Sequence, residues 1–226
     1  MCDLQVFSEC VRKIRLTSGA SELINEAFRK PWTFDDKAWK HVIDVLVEAS
    51  MNDMKQGRAA AKTCNYIVQA EAAYCNSSGF RSILLKQLQV EYEKQMQVNH
   101  AKEKSWINFA NFLCAVFDLL RLNNMPLVAL VSPVFEVLSV LAQPTFAHSE
   151  AAIQCLVMQL QFVGEELDRL NNNKMKDLVV MLRKLFLNEK TSQFSRLMLL
   201  EIIELRSGGW KLSPSAYQYY YEGTGN

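Results

Sequence analysis

The sequence predicts an all-α protein built as a solenoid of stacked antiparallel helical hairpins. Apolar residues recur at helical spacing from one end of the 226-residue chain to the other. Only eight Gly and five Pro interrupt it, too few turn residues for a many-stranded sandwich. The periodic runs also group into pairs, 36–75, 80–121, 126–171 and 174–207, each close to the length of a helix-pair repeat. A globular bundle is the alternative, but bundles use fewer and longer helices. Internal self-similarity between the pairs is not evident. They share length and period.

Residues 1–31 read as an N-terminal helical segment. Thr33-Phe34-Asp35-Asp36 then reads as a helix start, followed by Trp39, Val42, Ile43 and Leu46 on one face. Gly57 is expected to break that helix, and the next carries Ala61, Cys64, Ile67 and Val68 toward Cys75. After "NSSG", Phe80, Leu84, Leu88 and Tyr92 fall at i+4 steps, and Trp106, Phe109, Ala110, Leu113, Phe117 and Leu120 form a strong stripe widened by Phe112 and Val116.

The run from Pro126 to Ala142 is apolar nearly all round, which predicts a helix covered on both sides. Pro126 suits its first turn, and Pro133 predicts a kink or break. Leu156, Leu160, Val163, Leu167 and Leu170 mark a long helix. Gly164 inside it costs helix stability and implies close backbone contact with a neighbour. "LNNNKM" turns the chain into Leu178, Val179, Leu182 and Leu185, and a last helix spans about 192–206.

That last helix ends oddly, "EIIELRSGGWK" over 201–211. Gly208 and Gly209 are expected to take the left-handed conformation of a helix C-terminus. Arg206 and Lys211 complement the helix dipole. Trp210 is expected to fold back as a lid over the final helix pair, because terminal repeats need a cap. Residues 212–226 form a Tyr-rich tail, expected to pack on the last helix because adjacent exposed tyrosines make a costly apolar patch.

Composition excludes several function classes. With 50% hydrophobic and 22% charged residues the chain is a folded protein, not a disordered one. A net charge of +1 gives no global bias toward nucleic acid or membrane. Cys2, Cys10, Cys64, Cys75, Cys114 and Cys155 form no C-x-x-C pair and read as buried thiols in a reducing compartment, cytoplasmic or nuclear. No secretory signal and no membrane span is evident. His41, His100 and His148 are isolated, and Glu165, Glu166 and Asp168 point different ways around one turn, so no catalytic, metal or cofactor site is expected. Between Lys174 and Lys211, eight basic residues face four acidic ones, but they are interleaved with core positions. An ordinary mixed surface is the favoured reading, and weak RNA contact stays open.

Three segments carry a resemblance. "FRSILLKQLQVEYE" (80–93), "QCLVMQLQFVGEELD" (154–168, with Gly164) and Glu204-Leu205-Arg206 with Trp210 occur in the order found in the middle domain of eukaryotic translation initiation factor 4G, a HEAT-repeat solenoid. The resemblance covers about 32–211. "VFDLLRLNNMPLVALVSPVFEVLSVLAQP" (116–144) and "GGWKLSPSAYQYYY" (208–221) resemble the small single-domain members of that family, particularly those that bind the histone stem-loop-binding protein.

The resemblance implies a non-enzymatic adaptor in mRNA translation, without cofactor. It would link stem-loop-binding protein at the 3′ end of histone messages to translation initiation factor 4G at the cap side. Alternatives are an adaptor for the nuclear cap-binding complex or for poly(A)-binding protein, or a direct RNA-binding module. A DEAD-box helicase and a homodimer are further partners the family implies. Leu197 stands where the family docks that helicase through an aromatic residue. As partner contacts the sequence offers Arg81, Glu91, Lys94, Arg183 and Lys184, with solvated charge as the alternative at each.

Overall fold

A computed structural model describes residues 4–75, 79–97, 103–122 and 125–222. Within them the chain is all-α, with HEAT-like helix pairs, and divides into two compact units, Met1–Val128 and Ala129–Asn226.

In the first unit, α1 (Leu4–Arg12) and α2 (Ser18–Arg29) precede the pairs α3 (Asp36–Asn52) with α4 (Met54–Cys75) and α5 (Gly79–Gln97) with α6 (Glu103–Leu119). Asp35 starts α3 by accepting the Ala38 N–H at 2.8 Å, as its type and place predict. The break after α3 lies at Asp53, not at Gly57. Gly57 sits in the first turn of α4, where a Cβ would lie 2.5 Å from Asn111 Nδ2 on α6, so its role is to let two helices approach. Asn108 and Asn111 of α6 donate to the carbonyls of Met51 and Met54, each at 2.6 Å, satisfying backbone at the α3–α4 turn. Arg58 and Asp118 add a 2.7 Å ion pair between α4 and α6. The buried Glu71 carboxylate of α4 accepts the Phe80 N–H at 3.2 Å, placing negative charge at the start of α5.

The helix enclosed on every side is α6, not the run after Pro126. All twelve side chains from Trp106 to Phe117 are buried. Residues 121–122 and 125–126 instead pair as a two-residue antiparallel ladder, β1 with β2, so Pro126 lies in extended backbone.

In the second unit, α7 (Val131–Leu141) starts late enough that Pro133 falls in its first turn, where no intrahelical N–H is needed. The helix runs unbroken past it, and Ser132 and Glu136 face solvent. α7 packs on α8 (Glu150–Leu170) and α9 (Asn172–Leu187), and α10 (Gln193–Ser207) packs on α8 and α9. Ser149, Asn171 and Ser192 cap α8, α9 and α10 through their side chains. A short α11 (Pro214–Tyr217) runs into a π-turn over Gln218–Glu222. Cys10, Cys64, Cys114 and Cys155 are buried free thiols, and burial pushes Cys64 and Cys155 up to about 12. Cys2, His100, Asn123 and Asn124 lie outside the described residues. No helix among the described residues is long and apolar enough to cross a membrane.

Candidate interaction surface

Gly164 and Asp168 lie four residues apart on α8 and so share a face. Arg206 lies in the last turn of α10, and Trp210 follows that turn. Asp168 gathers them: Arg206 Nε donates to its Oδ2 at 3.1 Å, Trp210 Nε1 to the same oxygen at 3.1 Å, and Asn172 Nδ2 to Oδ1 at 2.7 Å. The indole lies flush against Gly164, where any Cβ would overlap its six-membered ring. The two sequence fragments are therefore one spatial knot, and the close contact expected of Gly164 is with Trp210.

Two details differ from expectation. Trp210 rests on α8 rather than over the final pair. The left-handed residues are Gly209 (φ 70°) and Trp210 itself (φ 63°), while Gly208 is required because a Cβ there would lie 2.5 Å from the Lys211 carbonyl. A non-glycine residue in that conformation costs about 1–2 kcal/mol. The Asp168 bond and the Gly164 recess hold it there.

Partial burial alone would raise the Asp168 carboxyl, but the Arg206, Trp210 and Asn172 hydrogen bonds outweigh it and hold the group below its ordinary range. A depressed carboxyl contributes stability above its unfolded-state pKa and loses it as pH falls through the folded one. Asp168→Asn should therefore cost about 1 kcal/mol at neutral pH, the range of a charge-assisted bond at a partly covered site. In melting curves taken from pH 7 downward, the gap to the parent should hold to about pH 5 and close below about pH 4. A gap constant to pH 2 would contradict the assignment.

The charged candidates separate. Arg81 is half-buried in the first turn of α5. Glu91 is buried, its carboxylate held by Gln95 Nε2 at 2.6 Å and Lys94 Nζ at 3.3 Å, and Ser105 of α6 donates to Gln95 Oε1 at 2.9 Å. That geometry ties α5 to α6 and offers no open acceptor face. Lys94 stays exposed beside it, about 20 Å along the helix from Arg81. Arg183 and Lys184 are exposed on α9, in the other unit. Leu197 is half-buried on α10.

The first unit also carries an apolar corner that helical spacing did not single out. Trp32 (59% exposed) and Tyr74 (65% exposed) meet edge to face, ring centroids 5.7 Å apart. Beside them a cleft of about 400 Å³ is lined by Leu4, Phe28, Arg29, Gln69, Ala70, Ala73 and Tyr74. Arg29 also lines a second, polar cleft between α1 and α2, of about 710 Å³, with Arg12 and Lys30 outnumbering Glu22 and Glu26 once Arg29 is included. An aromatic ledge, an apolar recess and a cationic rim suit a peptide with an apolar anchor and nearby carboxylates. The signal in the sequence was Trp32 in "KPWT": a large aromatic outside any helical stripe. Its pairing with Tyr74, forty-two residues on, had none.

Among the described residues no group of three or more His, Cys, Asp or Glu is placed to hold a metal ion. Glu166 pairs with Arg169 while Asp168 turns to Arg206, so the acidic cluster on α8 splits between structural partners.

Comparison with known proteins follows the same lines. Residues 13–208 match the family described as the MIF4G domain. The chain is 40% identical over 201 residues to the MIF4G domain-containing protein of Rattus norvegicus, covering 88% of this chain and 89% of that protein. The same figures hold for the MIF4G domain-containing protein of Homo sapiens. Identity is 41%, with the same coverage of each chain, to MIF4G domain-containing protein B of Danio rerio.

Proposed function

The chain belongs to the MIF4G domain family, and from that premise we propose that it is a translation adaptor that captures an acidic, apolar-anchored peptide at the Trp32–Tyr74 corner. A MIF4G domain is a helical interaction domain with a translation-related scaffold role. The finer reading is that the peptide belongs to the histone stem-loop-binding protein, with translation initiation factor 4G recruited in the same assembly. It would act in the cytoplasm and nucleus. Its support is the likeness of 116–144 and 208–221 to the small family members of that kind. The observation that carries the docking site is the exposed aromatic pair over an apolar cleft with Arg29 at its rim.

Calorimetric titration with a peptide from the N-terminal, translation-activating region of stem-loop-binding protein tests both levels. Saturable binding at micromolar Kd or tighter is expected, weakened at least about tenfold by Trp32→Ala with melting unchanged, since a central aromatic anchor carries about 2 kcal/mol or more. Binding unaffected by Trp32→Ala overturns the site. No heat with folded protein overturns the partner and favours the cap-binding or poly(A)-binding relatives. Steep salt dependence of RNA affinity would instead mark a direct RNA-binding module.

A further inference from the structure

The tail that follows Trp210 turns back along α10 and is fastened there by phenols. Ser213 caps α11 by accepting the Ala216 N–H at 3.1 Å, and the π-turn then presents Tyr220 and Tyr221 to successive turns of α10. Tyr220, 8% exposed, donates to Glu204 Oε2 at 2.8 Å. Tyr221, 52% exposed, donates to Glu201 Oε1, which also accepts Gln161 Nε2 of α8 at 3.0 Å. Rings meet within the tail, Tyr217 tilted against Tyr221 with centroids 4.9 Å apart and Tyr219 edge-on to Tyr220 at 5.0 Å.

Both fastenings depend on a phenolic proton given to a carboxylate. The Glu201 hydrogen bond, with burial and the carboxylate charge, pushes Tyr221 up to about 12, so no physiological pH removes that proton. Esterification does. We propose that Tyr221 is a tyrosine-kinase site whose phosphorylation unlatches the tail from α10. The Tyr221 oxygen bonds to the γ-phosphorus of ATP, the bond from that phosphorus to the β,γ-bridging oxygen breaks, ADP departs, and the phenolic proton passes to the kinase base. A donor is thereby replaced by a group of nearly two negative charges against Glu201, which is only 9% exposed, with Glu204 one turn along the same helix.

Tyr221 is the residue of the fastened pair that a kinase can reach. The short helix adds local access, since a segment held by a few side-chain bonds opens far below the cost of global unfolding. Release would uncover the α10 face carrying Glu201 and Glu204 and the adjoining Gln161 of α8. The tail is thus a removable strap, in the unit that does not contain the Trp32–Tyr74 corner.

The test is the full chain carrying phosphotyrosine at 221, installed by codon suppression, followed by hydrogen exchange. Amides of 215–221 should lose protection at least about tenfold against unmodified protein, with those of α9 unchanged. Tyr221→Phe, which loses the donor without adding charge, should give a much smaller loss. Glu201→Gln should restore protection to the phosphorylated chain, because the carboxamide removes the repulsion. In parallel, a purified non-receptor tyrosine kinase with MgATP should place phosphate on Tyr221 by peptide mapping. A phosphorylated tail as protected as the unmodified one, failure of Glu201→Gln to restore it, or phosphate found only on Tyr217 or Tyr219 would each overturn the proposal.

Discussion

Gly164→Ala should lower stability by about 2–3 kcal/mol, although alanine is the better helix former by about 1 kcal/mol. The added methyl would occupy the space of the Trp210 ring, whose Cζ2 lies 3.0 Å from the built Cβ and whose Cη2 and Cζ3 lie nearer still. The indole must leave, and with it go its contact with α8 and the 3.1 Å bond to Asp168. Trp210→Ala should cost a similar amount, by exposing the recess and freeing a left-handed residue. The informative measurement is the double-mutant cycle in urea. In the Trp210→Ala background the substitution at 164 should become neutral or stabilising, since only its gain in helix propensity remains. Equal cost in both backgrounds would show that Gly164 answers to something other than Trp210.

The same knot shows what a sequence discloses and what it withholds. Gly164 and Trp210 stood out because each broke a local rule, a glycine inside a helix and a bulky aromatic just after a helix end, while Arg206 followed one, a cation in a helix's last turn. Asp168, which joins them, gave no such sign, for beside Glu165 and Glu166 it reads as one of three solvated carboxylates on a helix. Glu91 is the reverse case. It continues the line Phe80, Leu84, Leu88, with Gln95 beyond, and all five are buried. Spacing by fours carried the stripe to Tyr92 instead, which is only half-buried, so Glu91 combines a core position with a charge. Hydrogen bonds from Gln95 and Lys94 reconcile the two.

Helix pairs were legible because apolar residues recur at helical spacing through most of the long elements. Hydropathy ranked the pairs poorly. The run 126–142 is the more apolar to the eye, yet its first five residues are extended or 3-10 backbone and α7 turns Glu136 outward. In α6, Asn108 and Asn111 dilute the apolar pattern while being the residues that bind it to the α3–α4 turn. Polar residues that answer backbone carbonyls look like surface residues until the carbonyls are located. The Trp32–Tyr74 corner was hidden for a related reason: two aromatics far apart in sequence become one feature only after α2 and α4 have packed.

If α6 is the enclosed element, Phe112→Ala should be among the most damaging single truncations in the chain. Phe112 is fully buried on a helix flanked by α3, α4 and α5, with buried neighbours at every position from Trp106 to Phe117. Such a site cannot collapse around the missing ring without moving three helices, so the transfer and cavity costs should sum to about 3–5 kcal/mol. Asn111→Ala, one residue earlier, removes a hydrogen bond and leaves the Met54 carbonyl to find another donor, at about 1–2 kcal/mol. Phe162 on α8, 48% exposed, is the matched control, and its truncation should stay within about 0.5 kcal/mol. Urea midpoints of the three variants, with m-values checked for constancy, give the order directly. Were Phe112→Ala no worse than Phe162→Ala, the centre of the first unit would not be α6. The order Phe112, Asn111, Phe162 is what packing dictates, because buried volume outweighs one internal hydrogen bond, and both outweigh a ring that water already reaches.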